Sequence, residues 1–462
     1  MANGNNRDAV IAALRTAAQS QPPGTRLPAV RELMSRHRAG PGTVQQALAQ
    51  LKREGLVTAR PGQGTFVAER PLPSSPRDPS WQSVALGPPR GFSRPLAELV
   101  SLPPPGVLSL SSGYLPADLQ PVTLLRDALI RAARRPGIWD RLPVEGLEPL
   151  RAWFAQDLGI GMSPDDVMIT PGTQAALACA FRALAEPGAA VLVESPAYLG
   201  ALAGARAADL RITPVPCDAE GLRPDLLEEA LARTGSRLLY CQPLYANPHG
   251  AVLAPSRRGD ILTLLQQHGA FMIEDDWARD LSIAEHAPAP LAATDDHGHV
   301  VYVRSLTKPA APGLRIGGLA ARGPAAERLR AARVVDDFFV AGPLQEAALE
   351  IVGSPGWQRH LKRLRGELRR RRDALLEGLS RHLSAVSVPD VPDGGLHVWV
   401  RLRDGTDDDA VARSALRAGV LVSAGRQWFP SEPDGSFLRL TFASLDPADL
   451  DAAVRRLAEL GL

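Results

Sequence analysis

Hydrophobic residues recur at helical spacing in three stretches near the start of the chain. Pro28 suits the first turn of the second helix, since a proline there loses no hydrogen bond, and Thr43 is a predicted cap of the third. A Pro-Gly turn between two β-type runs over 55–67 predicts a hairpin. The three apolar faces are Val10, Ile11, Leu14, Ala17, Ala18; Val30, Leu33, Met34, His37; and Val44, Ala47, Leu48, Leu51.

A second pattern begins near residue 107, where short apolar runs alternate with helical stretches. This alternation is typical of an α/β domain with a mostly parallel, covered sheet. A long arginine-rich helix over roughly 357–383 precedes a smaller α+β segment. The predicted strands lie at 190–193, 211–215, 238–241, 271–273 and 300–303, with later strands near 395–402 and 437–442.

These patterns predict a multidomain protein. The predicted units are a head at 1–70, a linker at 71–106 and a body at 107–462. We expect the body to divide into a large domain at about 107–340 and a small one at about 341–462. The linker is rich in proline, so it should be semi-rigid, and its proline clusters at 88–89 and 103–105 argue against helix or central strand.

Composition narrows the class of protein. The chain has 462 residues, three scattered cysteines and a formal net charge of +2. Few, unpaired cysteines argue against a disulfide framework or a zinc site and fit a reducing cytoplasm. No apolar run reaches membrane-spanning length, and the polar start does not resemble a signal peptide. We therefore expect a cytoplasmic protein without a membrane partner and without a metal.

The charge is distributed unevenly. Residues 1–70 contain 10 Lys and Arg against 4 Asp and Glu, whereas the rest contains 42 against 46. A basic head on a mildly acidic body suggests a polyanionic partner for the head, although chance variation in a short segment gives the same count.

The order helix, helix, turn, helix, hairpin is that of a winged helix-turn-helix domain. Its third helix would enter the major groove of double-stranded DNA, and the hairpin would contact the backbone or minor groove. A three-helix interaction domain is the alternative. Glutamine reads adenine edges, arginine neutralises phosphate and glycine permits close approach. The predicted DNA contacts are Arg31, Thr43, Gln45, Gln46, Arg60 and Gly62.

Residues 22–33, 43–48, 54–57 and 62–67 closely resemble the GntR-type winged-helix domain. This resemblance covers nearly all of residues 7–68 and implies binding to DNA. Family members usually carry a polar pair, often Ser-Arg, just before the threonine, whereas this chain has Pro41-Gly42. The departure implies a missing phosphate or base contact.

Lys308 follows the apolar run 300–303, with two hydroxyls just before it and an arginine seven residues after it. A lysine at a strand end is suited to form a Schiff base with a carbonyl cofactor. Ser305, Thr307 and Arg315 are suited to hold a phosphate. Together these residues predict a pyridoxal 5'-phosphate site.

Further candidates follow other strands. Asp275 can pair with the pyridinium nitrogen of such a cofactor, although consecutive acids at a loop mouth are often only solvated. Asn247 can donate to the phenolic oxygen, although Asn-Pro is also a common turn. Thr173 and Gln174 open a helix whose free N–H groups suit a phosphate. Tyr198 can stack on the pyridine ring or simply pack.

Arg439 lies in the middle of the β-type run 437–442. A buried charge is costly without a partner. A bound carboxylate would supply that partner through both arms of the guanidinium. A structural ion pair to an internal acid is the alternative.

In order, these motifs resemble those of fold type I aminotransferases, over most of residues 107–462. The resemblance implies that Lys308 and Asp275 are the catalytic pair and that Arg439 binds the substrate carboxylate. It also implies a fold type I transferase body. Trp277 stands close to where the family has a tyrosine, and the segment 139–146 lacks the tyrosine usually offered to the neighbouring subunit. Arg141 is a candidate substitute, and both departures put fast transamination in doubt.

A GntR-like head on an aminotransferase-like body is the layout of the MocR subfamily of bacterial regulators, which this chain resembles. The resemblance implies a head-to-tail homodimer that binds promoter half-sites and senses the cofactor or an amino compound. The main alternative is an active aminotransferase with an autoregulatory head. A DNA-binding dimer with an inactive pocket is a third hypothesis.

Overall fold

A computed structural model describes residues 2–69, 78–86, 94–159 and 161–461. The chain divides into two compact units, Met1–Pro88 and Pro89–Leu462, and each is described by itself. Within the described residues, no helix combines the length and the apolar character needed to cross a bilayer.

The first unit has the predicted order of elements. Its helices are α1 (Ala2–Ser20), α2 (Val30–His37), α3 (Pro41–Arg53) and α4 (Trp81–Leu86), and its strands are β1 (Val57–Arg60) and β2 (Gly64–Val67). The strands pair antiparallel, with Arg60 opposite Gly64, which confirms the hairpin. Val10, Leu14, Leu33, Val44 and Leu51 form the core between the helices.

The predicted cap of the third helix is wrong. Helix α3 begins at Pro41 with Gly40 as its N-cap, and no side chain caps it. Thr43 therefore lies inside the first turn, where its N–H bonds to Gly40 O. A proline fits the first helical position because its missing N–H would have no intrahelical partner there.

The segment 71–106 contains more helix than its composition predicts. Helix α4 ends just before the proline pair at 88–89, and helix α5 (Arg94–Val100) lies between the two proline clusters. The expectation of a linker without helix is wrong for these two stretches, because their residues contain proline only near a helix start. The pair Pro88-Pro89 lies outside the described residues.

The second unit is built on an eight-stranded sheet with helices around it. The strand order is β4-β11-β10-β9-β8-β5-β6-β7. The strands β6, β5, β8, β9 and β10 run parallel, and β11 is antiparallel to both of its neighbours. Their bounds are β4 (Val167–Thr170), β5 (Ala190–Ser195), β6 (Arg211–Asp218), β7 (Gly221–Leu222), β8 (Leu238–Cys241), β9 (Phe271–Asp276), β10 (Val300–Ser305) and β11 (Gly317–Ala320).

Helices cover this sheet and provide the apolar cores on its faces. Those between β4 and β9 alternate with the strands as the sequence pattern predicts. Their bounds are α6 (Val122–Ala132), α7 (Glu148–Leu158), α8 (Thr173–Leu184), α9 (Leu199–Ala207), α10 (Pro224–Thr234), α11 (Pro255–His268), α12 (Gly323–Asp337), α13 (Gly342–Val352) and α14 (Pro355–His382).

The C-terminal part contains a second, antiparallel sheet in the order β12-β15-β14. Strand β3 (Leu108–Ser109), from the start of the body, pairs in parallel with β13, which the sequence pattern did not predict. The remaining elements are β12 (His397–Arg401), α15 (Asp408–Arg417), β13 (Val420–Leu421), β14 (Ser423–Ala424), β15 (Phe437–Thr441) and α16 (Pro447–Ala458).

Candidate functional site

The parallel topology brings the candidate residues to one edge of the large sheet. Carboxyl ends of parallel strands lie at the same edge, where open α/β sheets bind ligands. Asp275 is near the end of β9, Thr307 and Lys308 follow β10, and Asn247 and Tyr198 come after β8 and β5.

Lys308 is partly buried at this edge. Its Nζ donates to Gly113 O at 2.8 Å and lies 4.1 Å from the centre of the Tyr114 ring. Burial, together with the nearby charge of Arg439, lowers the pKa of Lys308 to about 7. A large fraction of this amine is therefore neutral near pH 7, as a nucleophile must be.

Asp275 is buried and has one carboxylate oxygen in use. Its Oδ2 accepts from the Tyr240 hydroxyl at 2.7 Å and from Gln242 Nε2 at 2.8 Å, whereas its Oδ1 is buried without a partner in the described structure. Burial raises the pKa of Asp275 to about 6, although the hydrogen bonds from Tyr240 and Gln242 act in the opposite direction. Oδ1 of Asp275 is therefore a buried acceptor with unused hydrogen-bonding capacity.

The expected phosphate cradle also contains unused polar groups. Ser305 Oγ and Thr307 Oγ1 are buried, and neither has a hydrogen-bond partner among the described residues. Arg315 donates to Pro171 O at 2.9 Å. Gly172 precedes α8 with φ +91°, and a Cβ there would lie 2.5 Å from Arg315 Nη2. Glycine therefore leaves room for arginine beside the helix start, where Thr173 is the first residue.

The side chain of Gln174 is engaged within the fold. Its Nε2 donates to Gly200 O at 2.9 Å, and its Oε1 accepts from the Tyr198 hydroxyl at 3.2 Å. Both ends of the amide are thus engaged. The side chain fixes Tyr198, and only the main-chain N–H in the first turn of α8 remains for an anion.

Arg439 is fully buried on β15. It donates to Ser111 O and, through Nη1 at 3.2 Å, to Asn247 Oδ1, and it lies 4.4 Å from the centre of the Trp428 ring. Burial lowers its pKa to about 9, so the group stays charged at neutral pH. No carboxylate of the described chain pairs with it, so the predicted alternative of an internal ion pair is wrong for these residues.

Trp277, which stands close to where the aminotransferase family has a tyrosine, has no hydroxyl and packs within the fold. Its Nε1 donates to Tyr245 O at 3.1 Å, and its ring lies 5.8 Å from that of His397. Arg141, the proposed substitute for a neighbouring tyrosine, is exposed.

Several site residues were not predicted. Tyr240 and Gln242 hold Asp275, Gly113 and Tyr114 contact Lys308, and Trp428 lies against Arg439. A signal existed for the first two, since they stand at the end of a strand whose neighbour in a parallel sheet carries Asp275. Gly113 and Tyr114 belong to a segment 195 positions before Lys308 in the sequence. No spacing rule connects that segment to the lysine.

The predicted DNA contacts lie on the surface of the head. Arg31, Gln45, Gln46, Arg60 and Gly62 are exposed, and Thr43 is half-buried. The guanidinium of Arg60 lies 4.7 Å from the centre of the Phe66 ring, at the turn of the hairpin.

The residues at the sheet edge fit pyridoxal 5'-phosphate. The unpartnered Asp275 Oδ1 suits a pyridinium N–H, the unpartnered hydroxyls of Ser305 and Thr307 suit phosphate oxygens, and Lys308 suits the aldehyde. When bound, this group supplies an electron sink, whereas the protein residues hold and orient it.

Comparisons with known proteins agree with this geometry. Residues 105–457 match the family described as aminotransferase class I and II, and residues 7–67 match the bacterial regulatory proteins of the gntR family. The HTH-type transcriptional regulator YdfD of Bacillus subtilis is 29% identical over 451 residues, which cover 96% of this chain and 92% of that protein.

The body of this chain is also similar to aminotransferases. The 2-aminoadipate transaminase of Thermus thermophilus is 31% identical over 385 residues, covering 82% of this chain and 96% of the enzyme. The crystal structure of LysN, the alpha-aminoadipate aminotransferase of the same species, is complexed with N-(5'-phosphopyridoxyl)-L-leucine. It superposes with a TM-score of 0.75 at 31% identity and covers 80% of this chain and 95% of its own.

Proposed function

Because the chain belongs to the aminotransferase class I and II family and carries a gntR-family regulatory domain, we propose that it is a ligand-responsive DNA-binding regulator. Its body binds pyridoxal 5'-phosphate through Lys308 and senses the cofactor or an amino compound. Its head binds promoter half-sites, and two chains form a head-to-tail homodimer. The full-length regulator relatives support this function, since they span head and body alike.

The observation that carries the proposal is the buried guanidinium of Arg439. Its described partners are neutral oxygens and an aromatic ring. A buried charge without a counter-charge is unfavourable, so an incoming carboxylate gains a strong interaction there. An amino acid would place its carboxylate at Arg439 and its amino group toward the Lys308 end of the pocket.

Such binding can change the position of the heads only if the ligand favours one conformation of the body. The candidate site supports this idea, because its residues come from both sheets. Asp275 and Lys308 belong to the large sheet and its edge, and Arg439 belongs to the three-stranded sheet. A ligand held at both ends therefore stabilises one arrangement of the two sheets.

The test is fluorescence anisotropy of full-length protein on labelled promoter DNA, with cofactor present and amino acids and amines added one at a time. We expect at least one of them to change DNA affinity in the wild type but not in Arg439→Met or Lys308→Ala. A panel that leaves the DNA affinity of the wild type unchanged throughout would contradict the sensor function.

An active aminotransferase is the second candidate. Lys308, Asp275 and Arg439 are all present, and the charges of Asp275 and Arg439 both act on Lys308. The aminotransferase relatives support turnover. Steady conversion of an amino acid with a keto acid, insensitive to promoter DNA, would favour this candidate over a sensor.

A further inference from the structure

Buried hydrogen bonds connect Asp275 with Arg439 through Gln242 and Asn247. Gln242 Nε2 donates to Asp275 Oδ2 at 2.8 Å, and Gln242 Oε1 accepts from the main-chain N–H of Asn247 at 2.9 Å. Asn247 Oδ1 in turn accepts from Arg439 Nη1 at 3.2 Å. One side-chain amide thus connects the carboxylate at the ring-nitrogen end with the loop that orients the buried guanidinium.

Gln242 is held so that neither end of its amide can easily turn away. Its own main-chain N–H donates to the buried Glu194 carboxylate at 3.0 Å, and only 3% of the residue is exposed. Reversing the amide would place a carbonyl oxygen against a carboxylate and an NH₂ against an N–H. Both contacts would then be repulsive, so the observed orientation is fixed by its partners.

We propose that Gln242 is a positioning residue that couples occupancy of the cofactor site at Asp275 to carboxylate binding at Arg439. This inference rests on the proposed function for its biological meaning, but the hydrogen bonds themselves belong to the chain alone. Networks of buried hydrogen bonds transmit a change at one member to the others, since each unpaired group is costly.

Tyr240 provides a matched control within the same network. Its hydroxyl donates to the same oxygen, Asp275 Oδ2, at 2.7 Å, yet no described hydrogen bond links that hydroxyl to Asn247 or Arg439. Tyr240→Phe therefore disturbs Asp275 without breaking the connection. Gln242→Met keeps the side-chain length but removes both of its hydrogen bonds, so it breaks the connection.

Succinate is a suitable probe, because it offers carboxylates but no amino group. Its affinity for cofactor-free, full-length protein is measured by calorimetry. The difference in affinity between the wild type and Arg439→Met gives the contribution of this arginine. We expect the affinity that depends on Arg439 to fall about fivefold in Gln242→Met, because, of its two lost hydrogen bonds, only the one to Asn247 lies on the Arg439 side. Tyr240→Phe should stay within about twofold of the wild type. Equal losses in the two variants, or no loss in Gln242→Met, would overturn the inference.

Gln345 controls for a general effect of removing a buried glutamine. Its amide bonds to Leu147 N and Val340 O, each at 2.8 Å. Gln345→Met should lose stability without weakening the binding of succinate at Arg439. A loss as large as that of Gln242→Met would assign the effect to destabilisation and overturn the inference.

A second measurement adds pyridoxal 5'-phosphate. The ratio of succinate affinities with and without cofactor measures the coupling of the two sites. We expect this ratio to differ from one in the wild type and to approach one in Gln242→Met; a ratio of one in the wild type overturns the coupling. A wild type that takes up no cofactor would instead contradict the proposed function, while the cofactor-free measurements would still decide the role of Gln242.

Discussion

Two buried arginines of the body differ in their partners. Arg304, on β10, is 2% exposed, pairs with Asp280 at 3.0 Å and with Asp157, and lies 4.9 Å from the centre of the Trp153 ring. Arg439, on β15, is equally buried but has no carboxylate partner in the described chain. The first charge is neutralised within the fold, so it supports structure. The second lacks its counter-charge, so it is suited to bind a ligand.

Removing each charge should therefore affect stability differently. In cofactor-free protein, Arg304→Met leaves two carboxylates behind, one of them largely buried, and should cost about 3 kcal/mol or more of unfolding free energy. Arg439→Met removes a buried charge together with its own desolvation penalty, so we expect a cost of about 1 kcal/mol or less. Chemical denaturation of both variants, followed by tryptophan fluorescence, measures the difference.

Equal destabilisation by the two substitutions would contradict this distinction. The double replacement Arg304→Met with Asp280→Asn is the control. It should recover part of the lost stability, because it removes one of the uncompensated acids.

Glu274 and Asp275 are adjacent on β9 and differ in the same way as the two arginines. One carboxylate has partners within the fold for both oxygens, and the other keeps one oxygen unpartnered among the described residues. Both oxygens of Glu274 accept main-chain N–H groups, of Leu291 at 2.8 Å and Ala292 at 2.9 Å. Asp275 keeps Oδ1 without a partner. We expect Asp275→Asn to weaken cofactor binding by about 10- to 100-fold, the range for a hydrogen bond to a charged group. Glu274→Gln should lower stability instead.

The pH dependence of cofactor binding tests the same carboxyl group. Because burial raises the pKa of Asp275 from 3.8 to about 6, the ionised form that pairs with a pyridinium becomes dominant only above that pH. Cofactor affinity should thus rise between pH 5 and 7. In cofactor-free protein, the contribution of this group to stability is present below pH 3.8 and is lost as the pH rises through about 6. Absorbance titration of wild type and Asp275→Asn measures the first effect, and a pH profile shared by both would contradict the assignment.

Sequence patterns located the five parallel strands of the large sheet to within a few residues, because those signals are local, but they did not indicate β4. The runs ending near Cys241, Asp276 and Ser305 were expected, and the parallel topology then brought Asp275, Asn247 and Lys308 to one edge. Partners within the network, such as Gln242, depend on side-chain orientation, which no periodicity encodes. The pairing of β3 with β13 joins residues more than 300 positions apart, so it too has no local signal.

The head offers the smallest test of the same contrast, between an arginine that has a carboxylate partner and one that has none among the described residues. Arg15 pairs with Glu54 at 2.9 Å, whereas Arg60, at the hairpin turn, lies over Phe66 and has no carboxylate partner in the described part of the chain. We expect Arg60→Gln to reduce the salt dependence of promoter binding, lowering the slope of log affinity against log salt by about 1, as for one lost phosphate contact. Arg15→Gln should leave that slope unchanged, because its charge is already neutralised. Anisotropy titrations at several salt concentrations measure both slopes, and a larger change for Arg15→Gln would show that an internal partner does not mark an arginine as structural.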